Sequence, residues 1–111
     1  MRVLEIRSGD VLVLVLEGRL DATTAPDLAA LLRERIDAGD KRFVFDLAAV
    51  SYVTSMGLRV ILGALKELGA LGGRLVVAGA HGTVQEVLEI AGISRHIGMY
   101  ASREEALDSF R

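Results

Sequence analysis

Between Phe43 and Leu68 the hydrophobic period of this 111-residue chain changes once, and that change limits the folds open to it. Phe43, Val44, Phe45 and Leu47 make a short apolar, β-prone run, whereas Leu58, Ile61, Leu62, Leu65 and Leu68 recur at the spacing of one helix face. A strand handing over to an amphipathic helix is the unit of α/β folds, in which helices lie on a mainly parallel sheet. The hand-over falls at Thr54-Ser55. Either hydroxyl is of the type that caps a helix start, where free backbone N–H groups and the positive end of the helix dipole also favour an added phosphate.

The remaining segments extend the same pattern. Leu4 and Ile6 alternate with Glu5 and Arg7 as in a half-exposed edge strand, and Ser8-Gly9-Asp10 turns the chain into Val11–Leu16, six apolar residues that read as a buried strand. Gly18-Arg19-Leu20-Asp21 is expected to leave the sheet, and Thr23-Thr24-Ala25-Pro26-Asp27 opens a first helix whose apolar face is Leu28, Leu31, Leu32 and Ile36. A third strand is expected over Arg42–Leu47, with Ala48–Thr54 as the connection to the central helix, which Gly69 and Gly72-Gly73 terminate. Arg74–Ala78 reads as a further strand, and Val84, Val87, Leu88 and Ala91 as the inward face of a third helix. Ile97–Tyr100 is a weaker strand pattern, and Ser102-x-x-Glu105 is a capping box opening a last short helix with Leu107 and Phe110. Together these predict a four- to five-stranded mixed sheet with about four helices in one layer on it.

The length suits a single domain over residues 1–111. Apolar residues are 51% and charged residues 25% of the chain, the balance of a globular protein that folds by itself. A net charge of −2 with no cluster of Lys or Arg gives no footprint for direct nucleic-acid binding. The chain has no cysteine, which removes disulfides, thiolate catalysis and cysteine metal sites, and suits a cytoplasmic protein. No apolar run approaches the roughly 18 residues of a membrane span.

Val50-Ser51-Tyr52-Val53-Thr54-Ser55-Met56-Gly57-Leu58 resembles the signature of STAS domains, the fold of bacterial anti-sigma factor antagonists. The similarity extends along nearly the whole chain: Gly18–Asp21 with Thr23-Thr24-Ala25, Phe45-Asp46-Leu47, Gly72–Val76 and Ser102–Leu107 fall in the expected order. The resemblance implies that Ser55 is a phosphoacceptor, with Thr54 as second choice, and that Leu20, Asp21, Thr23, Thr24, Tyr52, Thr54, Ser55, Met56, Gly57, Leu58 and Arg59 meet a partner. That partner would be an anti-sigma factor and serine kinase that brings its own ATP and Mg²⁺. The unmodified domain would bind it and release a sigma factor, phosphorylation would reverse this, and a PP2C-type phosphatase would reset the switch. No cofactor of the domain's own is implied. The chain departs from the family pattern at Thr54, where an aspartate is frequent.

Each candidate also has a structural reading. A serine ahead of a helix is usually a cap, Asp21 suits a turn that accepts backbone N–H groups, Asp46 is expected to stabilise the end of its strand, and Leu58 has the spacing of a core residue. His81 and His96 are the two histidines available as a base for a Ser55 hydrolase, but Val53 stands where a nucleophile elbow needs glycine. Gly69–Gly73 lacks the lysine of a phosphate-binding loop. The family resemblance also admits a STAS subunit of a lipid ABC transporter or a stress-signalling scaffold.

Overall fold

The computed structural model describes residues 1–111. Its elements follow in the order β1 (Arg2–Ser8), β2 (Val11–Leu20), α1 (Ala25–Asp37), β3 (Arg42–Val53), α2 (Ser55–Ala70), β4 (Arg74–Ala78), α3 (Gly82–Ile90), a single 3₁₀ turn (Ile93–Arg95), β5 (Gly98–Tyr100) and α4 (Arg103–Asp108). The five strands form one sheet in the order β1-β2-β3-β4-β5. The β1–β2 hairpin is antiparallel and the other three pairings are parallel, as the opening hairpin followed by strand–helix alternation predicts.

Alternation along the strands divides the apolar residues between two faces. Leu12, Leu14 and Leu16 of β2, Phe43, Phe45 and Leu47 of β3, and Leu75 and Val77 of β4 point to the main core, where they meet Leu28, Leu32 and Ile36 of α1, Ile61 and Leu68 of α2, and Val84 and Leu88 of α3. Val11, Val13, Val15, Val44, Val76 and Ala78 form a second, smaller core with Ala106 of α4. The expected single layer of helices is therefore corrected. α4 crosses to the opposite face because the odd-numbered valines of β2, and their neighbours in β3 and β4, leave that face apolar too. Asp46, the one buried charged residue, points to this side and accepts hydrogen bonds from the Ala48 N–H (3.1 Å) and Arg103 Nε (3.0 Å), tying α4 to β3. Phe110 lies beside the guanidinium groups of Arg74 and Arg42, 4.7 and 5.9 Å from its ring centre. Ser102 caps α4 by accepting the Glu105 N–H, as the capping box predicts.

β2 and β3 run further than the sequence pattern suggests, and this correction bears on the site. The strands stay paired through Glu17↔Ala49, Gly18↔Val50, Arg19↔Tyr52 and Leu20↔Val53, with register shifts between Val15 and Glu17 and between Gly18 and Arg19. At each shift β3 carries one residue more than β2, the signature of a β-bulge. The bulges replace two-residue alternation by burial of Leu47, Val50 and Val53, every third residue, so the strand loses its sequence signature beyond Leu47 while it remains in the sheet. Gly18 has φ +106°, a conformation that disfavours a side chain at the bend. In α2, Leu62 is exposed and Ala64 takes the expected core place, while Leu58 and Leu65 pack at the core margin. In α3, Ala91 lies beyond the helix end and is exposed.

Candidate functional site at the start of the central helix

The extended β2 and β3 end side by side, so the loop to α1 and the start of α2 leave the sheet together. Two contacts join them. The Thr54 N–H donates to the Leu20 carbonyl at 3.0 Å, and a Cβ built on Gly57 would lie 2.7 Å from both Leu20 Cγ and Leu20 O. The first turn of α2 thus rests on Leu20 at a distance that only glycine permits. Leu20 and Gly57 are both buried, which corrects the expectation that they face a partner. They set the height at which α2 begins.

The loop after Leu20 is held by its own polar side chains. One carboxylate oxygen of Asp21 accepts the N–H groups of Thr23 (3.0 Å) and Thr24 (3.1 Å), and the Thr24 hydroxyl accepts the Asp21 N–H and donates to the Arg19 carbonyl. The Thr24 N–H, helped by Thr23, the Thr24 hydroxyl and the charge of Arg19, holds the Asp21 carboxyl below the usual carboxylate range. Asp21 and Thr24 therefore shape the entry to α1, Thr24 being its N-cap residue, while Thr23 is exposed.

On the α2 side the hydroxyls separate. Thr54 is the N-cap residue, with extended backbone (φ −94°, ψ 176°), but its side chain caps nothing. Its Oγ1 is buried without a hydrogen-bond partner. One expectation is corrected here: Thr54 does not cap the helix through its hydroxyl. Ser55 is the first helical residue and is exposed. It makes no side-chain cap either, so the leading N–H groups of this 16-residue helix are uncapped by any side chain, and no acidic residue stands in its first turn. Tyr52, Met56 and Arg59 are exposed around Ser55, and Leu58 is half-buried.

Three features of this surface escaped sequence reading. The Arg19 guanidinium lies over the Tyr52 ring at 5.0 Å, a cross-strand contact created by the second register shift. Leu62 and Lys66 join Ser55, Leu58 and Arg59 along one shallow groove of α2, a stripe at helical spacing that was legible but was assigned to the core at Leu62. Neither Arg59 nor Lys66 is engaged in a salt bridge. His81 Nε2 lies 2.9 Å from the Ala48 carbonyl, and no hydrogen bond joins either histidine to Ser55.

The family model for the STAS domain matches residues 3–106, all but the ends of the chain. The chain belongs to the STAS domain family. Among relatives of this STAS domain, BtrV of Bordetella bronchiseptica, named as a candidate anti-sigma factor antagonist, is 36% identical over 101 residues, covering 91% of this chain and 87% of that protein. The anti-sigma F factor antagonist of Lysinibacillus sphaericus is 28% identical over 109 residues, covering 97% and 92%. The fold is shared with the crystal structure of a protein from Thermotoga maritima named as a candidate anti-sigma factor antagonist, at a TM-score of 0.93, with 21% identity and coverage of 96% and 92%. The Bacillus cell fate determinant SpoIIAA in its phosphorylated form matches at a TM-score of 0.80, with 25% identity and coverage of 99% and 100%. No helix of this STAS domain is long and apolar enough to cross a membrane.

Proposed function

We propose that this STAS domain is an anti-sigma factor antagonist, a binding switch and not an enzyme: unmodified, it holds an anti-sigma factor that is also a serine kinase, and phosphorylation of Ser55 releases it. The setting of Ser55 carries this reading. The hydroxyl is exposed on the first turn of a long helix whose N-terminus is capped by no side chain and neutralised by no acid. A phosphate there gains from the helix dipole and from Arg59, four residues on and free of ion pairs, while it adds about −1.5 to −2 charges to the surface the partner must cover. The names of the relatives support the role, and the phosphorylated SpoIIAA structure supports the modification.

On this reading Tyr52, Met56, Leu58 and Arg59 are the contact surface beside Ser55, with Thr23 at its edge, and Leu20, Thr24, Asp21 and Gly57 act by shaping it. The kinase supplies ATP and Mg²⁺, a PP2C-type phosphatase restores the serine, and the exchange takes place in the cytoplasm. Intact-mass measurement after incubation with an anti-sigma factor kinase, Mg²⁺ and ATP tests it. Wild type gains one phosphate and Ser55→Ala gains none. Ser55→Asp melts as wild type does yet binds the kinase less tightly. A bound, active kinase that leaves Ser55 unmodified overturns the reading.

A further inference from the structure

β1 leaves one side of the sheet open. It is first in the strand order and pairs only with β2, so the N–H and C=O groups along its other side have no strand partner. It is seven residues long, whereas β5 at the opposite edge has three. Long edges are usually guarded by a proline, a bulge or charges that repel a second strand. β1 contains no proline and its register with β2 is unbroken. Its charges on the helix-bearing face are already held by the chain itself, Glu5 by Arg35 at 2.6 and 3.1 Å and Arg7 by Asp40 in a two-bond pair. On the other face stand Leu4 and Ile6, 41% and 38% exposed, beside the buried Val15 and Val13 of β2. On that face α4 lies over β3, β4 and β5. A free backbone edge thus lies against an apolar ridge.

We propose that β1 joins two copies of this chain, pairing antiparallel with itself about a two-fold axis at Ile6, so that two five-stranded sheets become continuous. Charge selects this register. With Ile6 facing Ile6, Glu5 of each copy faces Arg7 of the other, and Arg35, Glu5, Arg7 and Asp40 alternate in sign across the axis. Centring on Glu5 would set two carboxylates directly opposite each other, an unfavourable pair. On the opposite face Ile6 of one copy meets Ile6 of the other, flanked on each side by Leu4 of one copy opposite Ser8 of the other. This contact leaves Ser55 at the far end of β3 and is independent of the kinase reading.

The chain has no cysteine, so one introduced thiol reports one position. Residues paired across an antiparallel ladder have Cα atoms about 4.5–5.5 Å apart, within the span of a disulfide. Under mild oxidation Ile6→Cys forms a disulfide-linked dimer and Glu5→Cys, central to the rival register, does not. In sedimentation equilibrium the wild-type mass rises from 11.9 kDa towards twice that value with concentration. Ile6→Lys stays at the single-chain mass with its melting temperature kept. A wild type that remains single at every concentration, or a Glu5→Cys that cross-links as readily as Ile6→Cys, overturns the proposal.

Discussion

Gly57→Ala and Gly63→Ala make the same chemical change in the same helix, and the structure assigns them opposite signs. A Cβ on Gly63 would meet nothing within 4 Å, so alanine there removes the flexibility cost of glycine and stabilises the protein by about 0.5–1 kcal/mol. A Cβ on Gly57 would lie 2.7 Å from Leu20 Cγ, 2.7 Å from Leu20 O and 3.2 Å from Leu20 Cδ2. Ordinary carbon contacts are about 3.5–4.0 Å, so the overlap is close to 1 Å. Leu20 has no room to yield: its side chain is fully buried, and its carbonyl accepts the Thr54 N–H at 3.0 Å. Overpacking of this kind costs about 1–3 kcal/mol. The propensity gain is common to both substitutions, so their difference in stability reads the overlap itself, about 1–3 kcal/mol with Gly57→Ala the weaker. Urea unfolding followed by circular dichroism measures it: the midpoints move apart, with the slope shared by all three proteins. Equal midpoint shifts for the two variants would refute the close approach of α2 to Leu20.

Thr54→Val keeps the shape of a side chain whose hydroxyl is buried and unpaired, so it leaves stability unchanged or raises it by about 1 kcal/mol, whereas a true cap would lose about 0.5–2; urea midpoints decide between them. Arg103→Met leaves the Asp46 carboxylate with the Ala48 N–H as its one partner, and lowers stability by about 1–3 kcal/mol, discounted because Arg103 is partly exposed; faster amide exchange confined to α4 is the second readout. Arg35 beside Glu5, the Thr24 N–H at Asp21 and Arg7 beside Asp40 all lower the carboxyl pKa in the folded state, so these groups contribute stability above their unfolded values of about 4. That contribution is lost as pH falls through the folded values; a urea midpoint that rises on acidification below pH of about 4 would contradict the assigned pairs.

Most elements were legible because their cause is local. The hairpin turn at Ser8–Asp10, proline in the first turn of α1, the glycines after α1 and α2, and the capping box of α4 each act within a few residues. The ends of β2 and β3 were not, because two bulges break the alternation by which a strand is recognised and only cross-strand pairing keeps Ala49–Val53 in the sheet. The same break hid the contact of Arg19 with Tyr52. Ser55 was placed correctly at the helix start by the change of period, but which hydroxyl is exposed depends on how α2 sits against Leu20, a tertiary fact. Leu62, expected in the core, is exposed and Ala64 is buried for the same reason: spacing finds a face, and the neighbouring layer decides how wide that face is.

Strand order and chain order coincide in this sheet, and that bears on how the molecule comes into being. A chain leaving the ribosome N-terminus first finds, for every new strand, the partner already made, and never has to open a finished pair to insert a later one. The residues of the Ser55 surface all lie between Arg19 and Lys66, so they are made before the last third of the chain, and β4, on which α2 also rests, is the first element of that last third. β5 and α4 then act as ballast: they seal the far edge and the second face. Change in that part can alter the depth of the well in which the site sits without redrawing the site.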